Sequence, residues 1–157
     1  MLAVIWHSRT GTSRAMALAA AEGAGDAARL IAAGEECSDL LLAARGYLFV
    51  CPENLGSMSG VMKDLFDRTY YPLLGRVEGR PYATMIAAGT DGHGAQAQID
   101  RIVTGWRLRR VVEGFIHVTG AQRPEDILAP KTISDQVKSR CSEIGQTLAA
   151  GLEMGLF

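Results

Sequence analysis

Short apolar, β-rich runs alternate with helix-period runs along the 157-residue chain. That alternation constrains the fold more than any other feature, because it is the pattern of a parallel sheet with helices on both faces. Strands are read at Leu2 to His7, weakly at Ala27 to Ala33, at Gly46 to Cys51, at Tyr82 to Ala88 and somewhere in Val111 to Val118. Gly46 to Cys51 is apolar on both faces and so is placed at the centre of the sheet. Helices are read from Thr12 or Ser13 to about Gly23, over Ser38 to Arg45, from near Ser59 to Pro72, along the face Ala95, Ile99, Ile102 and Trp106, and from Ser134 to Met154. Residues 119 to 131 read as an irregular connection.

Length and composition are those of one soluble α/β domain. The formal net charge is −1, so nothing global argues for nucleic acid or an acidic membrane as partner. No apolar run is long enough to span a bilayer, and the N-terminus lacks a basic stretch before its apolar residues. Cys37, Cys51 and Cys141 lie far apart, without CxxC or zinc spacing. They read as reduced, buried thiols of a cytoplasmic protein, and no metal site is expected.

The polar, glycine-containing loops follow strands one, three and four. In a sheet ordered 2-1-3-4-5 those strand ends are neighbours, so three sequence-distant loops converge on one crevice at the carboxyl edge. The first loop, His7-Ser8-Arg9-Thr10-Gly11-Thr12-Ser13-Arg14, lies between a strand and a helix. The free amides and positive dipole end of that helix suit an anion, a phosphate above all. An ordinary Ser/Thr-rich helix cap without ligand is the plainer reading of this loop taken alone.

Related architectures are excluded by what is missing. A P-loop needs a lysine after its last loop glycine, whereas Gly11 is followed by Thr12, Ser13 and Arg14. A dinucleotide-binding turn wants GxGxxG, and only Gly11 is present. A receiver domain would need clustered aspartates after strands one and three, and a low-mass cysteine phosphatase a cysteine in the first loop.

Ser8-Arg9-Thr10-Gly11-Thr12-Ser13 resembles the phosphate loop of flavodoxins. The run from Pro52-Glu53-Asn54-Leu55-Gly56-Ser57-Met58-Ser59-Gly60 to Phe66-Asp67-Arg68 is similar to the flavin-ring loop and following helix of flavodoxin-like NAD(P)H-dependent reductases. Ala87-Ala88-Gly89-Thr90-Asp91-Gly92-His93-Gly94 resembles their third flavin loop. The resemblance covers nearly the whole chain in the right order. It implies a single flavodoxin-like three-layer α/β/α sandwich with a five-stranded parallel sheet of order 2-1-3-4-5, binding FMN.

By the same resemblance Ser8, Thr10, Gly11, Thr12 and Ser13 hold the FMN phosphate, and Arg9 adds charge or is simply exposed. Pro52, Glu53, Asn54, Leu55 and Gly56 contact the isoalloxazine chiefly through backbone, with Ser57 in the same loop. Gly89, Thr90, Asp91 and Gly92 close the pyrimidine side, Asp91 serving either the turn or the ring. Neither ring loop carries an aromatic residue, unlike the electron carriers of the family, and the chain is near neutral where such carriers are acidic. The expectation is therefore an oxidoreductase that takes electrons from NADPH or NADH and passes them through FMN to a quinone, a flavin or another small acceptor. The alternative is a flavodoxin-type electron carrier between proteins. A homo-oligomer is left open. His7 reads as structural, His93 as structural or as lying over the flavin edge. Arg101, Arg107, Arg109 and Arg110 read as a solvated helix end or a site for the nicotinamide nucleotide's phosphate.

Overall fold

The computed structural model describes residues 1–157. Its elements in chain order are β1 (Leu2–Trp6), α1 (Thr12–Ala24), β2 (Ala28–Ala32), α2 (Ser38–Ala43), β3 (Gly46–Asn54), β4 (Ser57–Met58), α3 (Gly60–Leu73), β5 (Pro81–Ala88), α4 (His93–Gly105), β6 (Arg109–Arg110), β7 (Phe115–Val118), α5 (Pro124–Leu128) and α6 (Asp135–Met154). The main strands are parallel in the order β2-β1-β3-β5-β6, with β7 also paired to β5. Because β6 and β7 are two pieces of one fifth strand on the same edge, this is the expected 2-1-3-4-5 order of a flavodoxin-like α/β/α sandwich.

The central strand shows why the sheet is covered twice. Tyr47, Phe49 and Cys51 point into a core with Met62, Leu65, Phe66, Ile99 and Trp106. Leu48 and Val50 point the other way, against Met16, Ala17, Ala20, Ile144 and Leu148. A strand whose successive residues are all buried needs helices on each face. The alanines of α1 let α6 come close: a Cβ on Gly145 would overlap the carbonyl oxygen of Ala20.

Four readings are corrected. Pro52 to Gly60 is not loop throughout: β3 runs on to Asn54 and turns back through Leu55-Gly56 into β4, a hairpin with Glu53 opposite Met58 and Asn54 opposite Ser57. Leu55 and Gly56 have φ of 53° and 71°, the two positive angles that a two-residue turn needs to match strand twist. The fifth strand is broken between Arg110 and Phe115. Pro72 lies inside the last turn of α3 rather than beyond it, where Leu74 still donates to the carbonyl of Tyr70 at 3.0 Å. Residues 119 to 131 hold the short helix α5, opened by Pro124 at the position where a missing amide costs nothing.

The basic residues after α4 stand far from the crevice. Arg109 pairs with Pro81 at the start of β5, at the amino edge of the sheet. Arg107 lies 3.5 Å from Glu78 and Arg110 is paired with Asp100. Arg80 is structural: its guanidinium collects the carbonyls of Leu42, at 2.8 Å, and Ala44, which α2 leaves without partners at its C-terminus.

Candidate functional site

Strands β1, β3, β5 and β7 all end on one edge, and their loops border an open crevice. Its lining takes Ser8, Arg9, Thr10, Thr12 and Ser13 from the first loop, Pro52, Glu53 and Asn54 from the second, and Ala87, Ala88 and Gly89 from the third. Among the expected residues, Gly11, Leu55, Gly56, Ser57, Thr90, Asp91 and Gly92 lie outside that lining. Gly11 sits beneath the turn. Leu55 and Gly56 form the hairpin tip. The hydroxyl of Ser57 donates to Gln98 Oε1 at 2.8 Å, and the Met58 amide donates to the same atom at 2.9 Å. The Asp91 carboxylate is engaged with His93 Nδ1 at 2.6 Å, both side chains exposed.

Two helix N-termini lie at this end of the sheet, and only that of α1 lines the crevice. That of α4 is closed by the protein itself. The carboxylate of Glu53 accepts from the Gly92 amide at 2.9 Å and from the Ala95 amide at 3.0 Å, which satisfies the N-cap amide and one first-turn amide and sets negative charge at the positive dipole end. That of α1 has no side-chain cap. Its first intrahelical bond runs from the Ala15 amide to the Gly11 carbonyl at 2.9 Å, so the amides of Thr12, Ser13 and Arg14 have no partner within the helix. Thr12 and Ser13 are buried, and their hydroxyl oxygens have no hydrogen-bond partner. A buried unpaired hydroxyl costs about 1–3 kcal/mol. Two of them beside free amides form a cradle for an acceptor-rich anion, and a phosphate group fits that donor set.

The turn itself is shaped by its sequence. The Gly11 amide donates to Ser8 Oγ at 3.1 Å. Gly11 has φ 111°, a conformation natural to glycine, and a Cβ there would stand 2.8 Å from the Lys131 carbonyl oxygen. Outside the crevice lining, the first turn of α4 meets the hairpin so closely that a Cβ on Gly94 would overlap the carbonyl oxygen of Gly56. His7 is structural: its Nδ1 lies 2.9 Å from Ser59 Oγ, linking the end of β1 to the start of α3, and burial lowers its pKa. Burial pushes the Cys51 thiol up to about 12, which leaves it protonated and inert.

The fourth wall was not foreseen. Thr119, Ala121, Ile127 and Lys131 complete the lining. The Gly120 amide donates to the Gly89 carbonyl at 2.9 Å, and the Lys131 amide to the Thr10 carbonyl at 2.8 Å. The signal was available: β7 is parallel to the others, so whatever follows it must also leave at the ligand edge.

A polar turn at the head of α1, two loops folded over the same edge and a doubly wound parallel sheet define a flavodoxin-like, FMN-binding flavoprotein. The chain belongs to the NADPH-dependent FMN reductase family, whose model matches residues 11–119. It is similar to a flavodoxin of Aquifex aeolicus (strain VF5), 29% identical over 154 residues, spanning 93% of this chain and 83% of the relative. Its fold is similar to that of a flavodoxin from the domain Archaea (TM-score 0.76, 19% identity, 98% of this chain and 99% of that one). It is also similar in fold to the flavodoxin, WrbA-like protein from Agrobacterium tumefaciens (TM-score 0.72, 17% identity, 98% and 97%). No helix is long and apolar enough to cross a membrane.

Proposed function

We propose that the protein is an oxidoreductase that passes electrons from NADPH or NADH through FMN to a small acceptor such as a quinone or a free flavin. Thr12, Ser13 and the free amides at the head of α1 hold the phosphate, with Ser8 and Gly11 fixing the turn. Pro52, Glu53 and Asn54 form one wall of the ring site and Gly89 the other. Bound there, FMN supplies two-electron transfer between a reduced nicotinamide and the acceptor. The protein's share is position and access. Glu53 fixes the second loop on the third, and Gln98 fixes the hairpin on α4, so the walls keep their spacing without a ligand.

The observation that carries the reading is the crevice wall, where no aromatic side chain stands. Ile127 is the one large apolar residue in the lining, so a flat ring is left with a face open to a second flat ring. A carrier reading is favoured by a different observation: the Aquifex relative is a flavodoxin, and Leu55 at the hairpin tip, Val118 at the end of β7 and Leu128 at the end of α5 are exposed, as a protein-docking rim requires. One experiment separates them. Protein loaded with FMN is mixed anaerobically with NADPH and then NADH, and the visible flavin absorbance is followed. Rapid bleaching by either nucleotide supports the oxidoreductase. A bound flavin that does not bleach leaves the carrier.

A further inference from the structure

The phosphate cradle described above supplies hydrogen bonds, whereas a phosphate monoester near neutral pH carries a charge of about −1.5 to −2. Two cationic residues line the crevice, Arg9 and Lys131. Neither takes part in any of the ion pairs of the molecule. The nearest carboxylates on α5 are already taken: Glu125 and Asp126 lie 3.5 and 3.0 Å from Arg123.

Lys131 is held for this position by its own backbone and side chain. Its amide donates to the Thr10 carbonyl at 2.8 Å, and its carbonyl rests against Gly11. Its ammonium donates to the carbonyls of Ile127 at 2.8 Å and Ala129 at 2.9 Å. Both partners are backbone carbonyls at the C-terminal end of α5, and an ammonium has three N–H donors, so one donor is free and no carboxylate balances the charge. Residue 131 also lies beyond the part of the chain matched by the family model, residues 11–119.

We propose that Lys131 is the charge partner of the flavin phosphate and makes the site selective for phosphorylated over unphosphorylated flavin. The assignment rests on the FMN reading. With Arg9 on the same turn, two positive charges meet a phosphate dianion whose oxygens are bonded by Thr12, Ser13 and the α1 amides. The segment after β7 is then a clasp that brings charge to a loop whose own helix brings only donors.

The test titrates protein freed of flavin with FMN and with riboflavin, following flavin fluorescence at low and high salt. The variants are Lys131→Gln, which keeps length and hydrogen bonding but loses charge, and Lys131→Arg, which keeps charge. Lys131→Gln is expected to raise the Kd for FMN about tenfold, to leave riboflavin unmoved and to flatten the salt dependence of FMN binding. Lys131→Arg is expected to restore most of the affinity. An unchanged FMN affinity in Lys131→Gln overturns the proposal. So does an equal loss for FMN and riboflavin, which would show that the side chain only braces α5; thermal melting of each variant identifies that case. Wild-type protein that binds neither flavin overturns the FMN reading itself, and the proposal with it.

Discussion

Glu53 reaches from the end of β3 to the head of α4, its Oε1 accepting the Gly92 amide at 2.9 Å while Oε2 takes the Ala95 amide. One carboxylate thus ties the second ligand loop to the third and caps α4. Glu53→Ala is expected to destabilise the fold by about 1–2 kcal/mol and to weaken FMN binding, because the two walls lose their fixed spacing. Glu53→Gln, which keeps one acceptor, should lose less of both. Urea unfolding and flavin titration measure the two effects.

Thr12 and Ser13 invert that relation between stability and binding. Their hydroxyls are buried and unpaired, so removing them takes away a cost of the flavin-free protein. Thr12→Val and Ser13→Ala are expected to leave unfolding free energy unchanged or raised in the absence of FMN. Each should raise the Kd for FMN by roughly tenfold. Loss of stability without loss of affinity would assign the hydroxyls to packing instead.

Leu55 is fully exposed, at the first turn position of the β3–β4 hairpin, with φ 53°. Leucine is strained there by about 1 kcal/mol or more, whereas asparagine is at home. Leu55→Asn is expected to stabilise the protein by about 0.5–1 kcal/mol. Differential scanning calorimetry measures the gain.

His7 and His117 are both half-buried, and burial lowers both pKa values. The unfolded chain therefore takes up protons on these side chains before the folded one does. Stability is fully present above the unfolded pKa and is lost as pH falls below about 6.5 toward the folded values. The unfolding free energy should decline between about pH 7 and about pH 5. His7→Gln together with His117→Gln should flatten that part of the curve, measured by urea unfolding across the range.

Most of the sheet was legible because its strands are apolar runs bounded by glycine and proline, with Gly46–Cys51 unmistakable as the buried centre. The weak edge strand was legible too, although Leu30 proved exposed and Ile31 buried, as fits a strand paired on one side only. The first loop was readable from its hydroxyls and glycine. The hairpin was not: Leu55-Gly56 lacks the Asn-Gly or Asp-Gly signature, and only the backbone shows a leucine with positive φ. Glu53 was counted as a wall residue through its backbone, since no local pattern says that its carboxylate caps a helix thirty-nine positions on. The clasp was hidden for a similar reason. Pro124 and Pro130 mark irregular chain, and the bond between Lys131 and Thr10 is a fact of tertiary structure.

That bond sets an order of events during synthesis. The head of α1 emerges from the ribosome long before residue 131, yet its turn is braced by that residue, and α1 packs along α6 beyond it. The strand pairs β1–β2 and β1–β3 form from chain already made, while the phosphate turn waits. A nascent chain carrying every residue of the three ligand loops is still without its brace, so the phosphate turn is complete only after residue 131 has left the exit tunnel.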